Sequence, residues 1–125
     1  MTKAFHKEGL LVTSLISTLL ATANRRKVLL TKNNPKARDY YNAARYYLEE
    51  NQDLNLAKKW ITKAVEMEDN HYWMFRYQAL ILADLGEIKN AIQAAEKSLE
   101  LAQENGNNDY IRMNNKSIAE WSAIN

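Results

Sequence analysis

The stretch that decides the fold is Ala79–Leu101, ALILADLGEIKNAIQAAEKSLEL. Gly86 divides it into two apolar runs. Before it stands the small residue Ala79 within a run of helical length; after it, Ala91, Ala95, Ser98 and Leu99 recur at helical spacing. Residues at i, i+3, i+4 and i+7 share one face of a helix, so each run predicts an amphipathic helix. A glycine just past a helical run predicts a left-handed helix end. The short interval after Gly86 predicts a second helix running antiparallel to the first.

The same pattern extends outward in both directions. Residues 54–67 carry Leu54, Ala57, Trp60, Ile61, Ala64 and Val65 on one stripe. Leu54 and Ile88, Ala57 and Ala91, Ile61 and Ala95, Ala64 and Ser98, and Val65 and Leu99 each lie 34 places apart. Helices are expected over about 36–50, 54–67, 71–84, 87–104 and 110–123. Asn34 with Pro35 is expected to start the first of these, Asp53 to cap the second, Asp69 or Asn70 the third, and Asn108 or Asp109 the last. A further helix is expected over residues 3–31, where Val12, Leu15, Ile16, Leu19, Leu20 and Ala23 form one apolar face.

A 34-residue period in helix pairs resembles the tetratricopeptide repeat. Ala79, Gly86, Ala91-Ile92 and Ser98-Leu99 sit at that repeat's spacing, and the earlier pair matches through Ala44, Ala57 and Ala64 with one extra residue in its turn and no turn glycine. The resemblance implies two helical hairpins (35–69 and 70–106) and a capping helix (107–125); with the long N-terminal helix (1–34) packed on them, the expectation is an all-α, six-helix array in one domain. NAARYYLEENQDLNLAKKWITKAVE, ALILADLGEIKNAIQAAEKSLELA and NKSIAEW are also similar to the C-terminal helical region of a bacterial family of unknown function, mostly from Bacteroidetes; this likeness covers residues 36–122. Members of that family carry an export signal and a β-rich domain, which is what points to an exported origin. Residues 1–34 match neither, so an engineered or de novo designed chimera joined near Asn34-Pro35, with no function beyond folding, is the alternative to a natural scaffold.

Composition removes most chemistry. Three glycines and one proline in 125 residues favour few, long helices over a many-stranded sheet. No cysteine means no disulfide, thiolate nucleophile or cysteine zinc site. His6 and His71 have no partner at i+3 or i+4, so no histidine metal site is expected. Glu49-Glu50-Asp53 and Glu66-Glu68-Asp69 flank helix ends and are read as solvated faces. No nucleophile elbow or phosphate loop occurs, so the chain is read as a non-enzyme without catalytic residues, cofactor or metal.

Charge is uneven. Residues 1–38 hold eight Lys/Arg and one acid (+7), and residues 39–125 hold nine Lys/Arg and fourteen acids (−5). The basic run NRRKVLL (24–30) lacks interleaved aromatics, so nucleic-acid binding is not expected. LLVTSLISTLLATA (10–23) is shorter than the ~20 apolar residues of a membrane span. It is read as a packed amphipathic helix, with a signal remnant and a membrane-surface helix as alternatives.

The doublets of YYNAARYYL (40–48) lie seven positions apart, so Tyr40 and Tyr47 share one helical face while Tyr41, Arg45 and Leu48 share the next. One member of each pair is expected to pack on the helix over 54–67 and the other to face the inside of the array or the helix over 3–31, which could itself fill the inner groove. By resemblance to the tetratricopeptide repeat, inner-groove positions fall on Arg38, Tyr41, Arg45, Trp73, Arg76 and Leu80. Three arginines among aromatics would suit an acidic or C-terminal peptide. The asparagine and lysine carboxylate clamp of some such repeats is not present. A protein or peptide partner and a monomer or weak dimer are expected.

Overall fold

The computed structural model describes Arg26, Leu29 and residues 33–124. Chain contacts divide the molecule into two compact units, Met1–Asn34 and Pro35–Asn125. In the first, Arg26 and Leu29 are helical; the long helix expected over 3–31 and its packing lie outside the described residues. The second contains five helices and, among the described residues, no strand: α1 (Ala37–Glu49), α2 (Leu54–Met67), α3 (Tyr72–Asp84), α4 (Ile88–Glu104) and α5 (Asn108–Ser122). Consecutive helices pack on one another, and α1 also meets α3 as α3 meets α5. The unit therefore has one layer of α1, α3 and α5, and a second of α2 and α4.

Three helix ends are built alike. At the end of α3, Gly86 takes φ 83°. Its N–H donates to Ala83 O (2.9 Å) and the Glu87 N–H to Leu82 O (2.9 Å), the paired bonds of a Schellman closure. Gly106 (φ 67°) repeats this after α4, with Asn107 N–H donating to Ala102 O at 2.9 Å. After α1 the left-handed residue is Asn51 (φ 53°), and Gln52 N–H donates to Tyr47 O at 2.8 Å. Asparagine tolerates this conformation better than most side chains, so the turn that lacks glycine closes in the same way.

The starts of the helices differ from the sequence expectation in three places. Asp53 does cap α2, its Oδ1 accepting the Asn55 and Leu56 N–H groups at 3.1 Å each. Pro35, however, precedes the N-cap Lys36 of α1 instead of opening the helix. The Asp39 carboxylate reaches back to the Lys36 N–H (2.7 Å) and sets the start there, an acid in the first turn where the dipole favours it. The N-cap of α3 is His71, whose side chain caps nothing. Its imidazole is taken by Glu68 (2.7 Å) and by stacking on Trp73 (4.3 Å). α5 is capped by Asn107, one or two places earlier than expected; Oδ1 accepts the Tyr110 N–H (3.1 Å) while Nδ2 donates to the Tyr72 hydroxyl (3.0 Å).

Alanine sets the helix spacing. Ala44, Ala57, Ala64, Ala79, Ala91 and Ala95 are fully buried. Their small side chains let neighbouring backbones approach closely, and Ile61, Met74 and Ile81 fill the space between at about 1.5–3 kcal/mol each. Large rings occupy the wider gaps. Tyr47 meets Trp60 edge-on at 4.8 Å between α1 and α2, and Tyr41 meets Tyr77 at 5.6 Å between α1 and α3. One tyrosine of each doublet thus packs inside the array.

Candidate functional site

The layer α1–α3–α5 carries a cavity of about 290 Å³. One wall is α1, with Arg38, Tyr41, Asn42 and Arg45; the other is Tyr72 and Trp73 of α3 with Tyr110 of α5. Arg38, Tyr41 and Arg45 are three or four places apart, so one stripe of α1 faces the cavity. Four of the six sequence-derived positions, Arg38, Tyr41, Arg45 and Trp73, meet here. Leu80 is half-buried on α3 and outside its lining.

Arg76 is engaged elsewhere. Its Nη1 donates to Ser117 Oγ (2.9 Å), Asn114 Oδ1 (3.1 Å) and Met113 O (3.4 Å), all on α5. Asn114 is fully buried and donates in turn to Ser98 Oγ (2.8 Å), which donates to Tyr72 O (2.8 Å). The chain of bonds ties α3, α4 and α5 together. Burial draws the Arg76 pKa below its ordinary value, the desolvation cost of a cation held inside a structural network.

On α1 the charges are more open. Arg45 Nε donates to Glu49 Oε2 at 3.2 Å, and both side chains are nearly half exposed (48% and 45%). Such a pair contributes little to stability and is readily exchanged. The Tyr41 hydroxyl, followed by the Glu49 carboxylate, holds the Arg45 pKa above its usual value. The Tyr77 hydroxyl donates to the same Glu49 oxygen (2.9 Å). Burial first, and that bond second, push Tyr77 up to about 12, so it is a neutral donor at any ordinary pH. Arg38 has no ion-pair partner among the described residues, which leaves one uncommitted cation at the cavity.

The aromatic wall is braced from behind. Tyr72 packs edge-on against Tyr110 (4.8 Å) and Trp73 (5.2 Å). Asn107 holds the Tyr72 hydroxyl and the Tyr110 backbone at once. Tyr72 and Tyr110 were not among the sequence-derived positions. The signal was an aromatic residue in the first turn of two successive helices of one layer, legible only once α5 is placed in that layer.

A second cavity of about 350 Å³ lies on the other side of α3, between α2 and α4. Its lining includes Thr62, Gln78, Asn90 and Gln93, and its charges are paired internally: Lys58 Nζ meets Glu87 Oε2 at 2.7 Å, and Lys97 Nζ meets Glu100 Oε1 at 3.0 Å. It is larger, but it presents no unpartnered charge, so the α1–α3–α5 cavity makes the stronger electrostatic demand on a ligand. Among the described residues, no group of three or more His, Cys, Asp or Glu side chains could hold a metal ion. Nor is any described helix long and apolar enough to cross a membrane.

Antiparallel helix pairs stacked in two layers, with small residues at fixed intervals, define a helical-repeat protein. The Tetratricopeptide repeat family model matches residues 37–71 and 78–105, just over half of the chain, and the chain belongs to that family. Proteins built from this repeat commonly serve as scaffolds for protein interactions. The two matched spans leave out residues 72–77, YWMFRY, which supply Tyr72 and Trp73 to the cavity and Arg76 to the α5 network. No curated protein matches the chain.

Proposed function

We propose that the chain is a non-catalytic scaffold that docks an acidic, extended segment of a partner protein along the layer α1–α3–α5. One observation carries this reading: the uncommitted Arg38 and the exchangeable Arg45 share a cavity with three aromatic side chains of the facing helices. Cations attract the segment and set its direction, while aromatic surface supplies desolvated contact area. Arg76 and Leu80 frame the array; the contacts to a partner fall on Arg38, Tyr41, Arg45 and Trp73. The Bacteroidetes likeness and an exported setting are compatible with this role and add nothing to the assignment of its ligand.

Selection from a random library of end-blocked decapeptides tests the reading. Enrichment of sequences rich in Asp and Glu is expected, and a doubly substituted Arg38→Glu/Arg45→Glu protein with unchanged helix content and melting temperature should lose it. No enrichment, or enrichment indifferent to that double substitution, overturns the proposal and leaves a chain that folds without a partner as the better account.

A further inference from the structure

Resting on that peptide reading, we infer that the anchor of the bound segment is one aromatic side chain set between two carboxylates, the ring against Tyr72, Trp73 and Tyr110 and the acids on Arg38 and Arg45.

Size limits the occupant. About 290 Å³ lies at the lower edge of the ~300–1,000 Å³ typical of small-molecule sites, and suits a single large side chain. The walls then select its kind. Tyr72, Trp73 and Tyr110 form a contiguous ring surface, each pair of neighbours edge-to-face at 4.8–5.2 Å. A further ring added to such a cluster gains quadrupole-directed contacts that an aliphatic chain of equal volume lacks. The wall is also fixed before the ligand arrives. His71 stacks on Trp73 with ring planes 26° apart, and Asn107 holds the Tyr72 hydroxyl. Little side-chain entropy is then lost on binding, the condition under which a pocket discriminates shape well.

The opposite wall selects the flanks. Arg38 and Arg45 are seven places apart on α1, roughly 10 Å along its axis. An extended peptide in the polyproline II conformation advances about 3.1 Å per residue and turns once in three, so carboxylates three residues apart lie on one side at close to that interval, with the side chains between them turned to the other wall. The aromatic residue falls between them. The spans that match the repeat family omit residues 72–77, so Tyr72 and Trp73 of this wall lie outside the matched spans.

The test is fluorescence anisotropy with one labelled, end-blocked probe, acetyl-Gly-Ser-Glu-Phe-Ala-Glu-Gly-amide, and three changes to it: Phe to Leu, both Glu to Lys, and a version ending in a free carboxylate at Phe. The Phe probe is expected to bind roughly 3- to 10-fold tighter than the Leu probe, and the Lys probe not to bind. In Tyr110→Leu, and independently in Trp73→Leu, the Phe-over-Leu preference should fall to about one while the need for Glu persists; helix content checks that each variant folds. Equal binding of Phe and Leu probes to the unaltered protein overturns the aromatic anchor and leaves the acidic-peptide reading standing. Binding only of the free-carboxylate version overturns the flanking-acid arrangement. If no probe binds, and the random library also yields nothing, the parent reading falls and the anchor with it.

Discussion

The α1–α2 hairpin and the α3–α4 hairpin follow one plan with different filling. In the first, the two helices are joined by a ring contact, Tyr47 on Trp60 at 4.8 Å. In the second, Ala79, Ala91, Ala94 and Ala95 pack with Leu82, and the ring packed against them, Trp121, comes from α5. There the specific contacts are polar, running from Tyr72 O through Ser98 and Asn114 to Arg76. A ring contact joins two helices and tolerates some sliding. A buried chain of hydrogen bonds spans three and permits one register, because every misplacement leaves a desolvated group unpaired. The polar filling sits where α5 must be positioned, and α5 contributes Tyr110 to the cavity. Packing of the first hairpin thus serves mainly stability, and that of the second also serves the geometry of the aromatic wall.

Substitutions that separate these roles should rank accordingly. The largest loss is expected from Trp60→Ala. Trp60 is 5% exposed, and truncating a buried tryptophan costs about 3–5 kcal/mol. Chemical denaturation should show a lower midpoint with an unchanged slope. A loss under about 1 kcal/mol would mean that Tyr47 and its neighbours collapse into the space, and that the ring contact is not what holds the first hairpin.

Asn114→Ala is expected to cost less, about 1–3 kcal/mol, the penalty for leaving the Arg76 and Ser98 groups short of partners. Its signature is coupling. Combined with Ser98→Ala, the loss should be smaller than the sum of the two single losses, since both remove the same chain of bonds. Strict additivity would show that the bonds act separately and do not set the register of α5.

These contrasts also mark what could be read without coordinates. The 34-place recurrence of Ala57 and Ala91, and of Ala64 and Ser98, identified the paired helices, because small buried residues at helical spacing are a local signal. The cavity was legible on α1, where Arg38, Tyr41 and Arg45 lie on one stripe of one helix. Arg76 was not, since its partners Asn114 and Ser117 lie on α5, 38 and 41 places away. That helix was expected over about 110–123 with Asn108 or Asp109 as its cap, and nothing in that local signal pointed to Arg76. Ser98 looked like a small residue at a repeat position, and only its neighbours turn it into a relay. Asp69 or Asn70 was expected to cap α3, yet the N-cap is His71, whose ring is held by Glu68 and Trp73.

The smallest effect, and the finest comparison of the two hairpins, lies in their turns. Gly86 and Asn51 close the same pair of backbone bonds with φ of 83° and 53°. A Cβ added at Gly86 would meet nothing within 4 Å, so any cost of Gly86→Ala is conformational: about 1–2 kcal/mol for a left-handed alanine. Gly86→Asn should cost less than Gly86→Ala, because a short amide tolerates that region. Asn51→Gly removes a non-glycine residue from positive φ but loosens the unfolded chain, so the two effects oppose and the melting temperature should barely move. Asn51→Ala should then lose about as much as Gly86→Ala. If Asn51→Ala proves neutral, the first turn does not depend on its left-handed residue, and the extra residue between Asn51 and Leu54 gives that hairpin a freedom the second lacks.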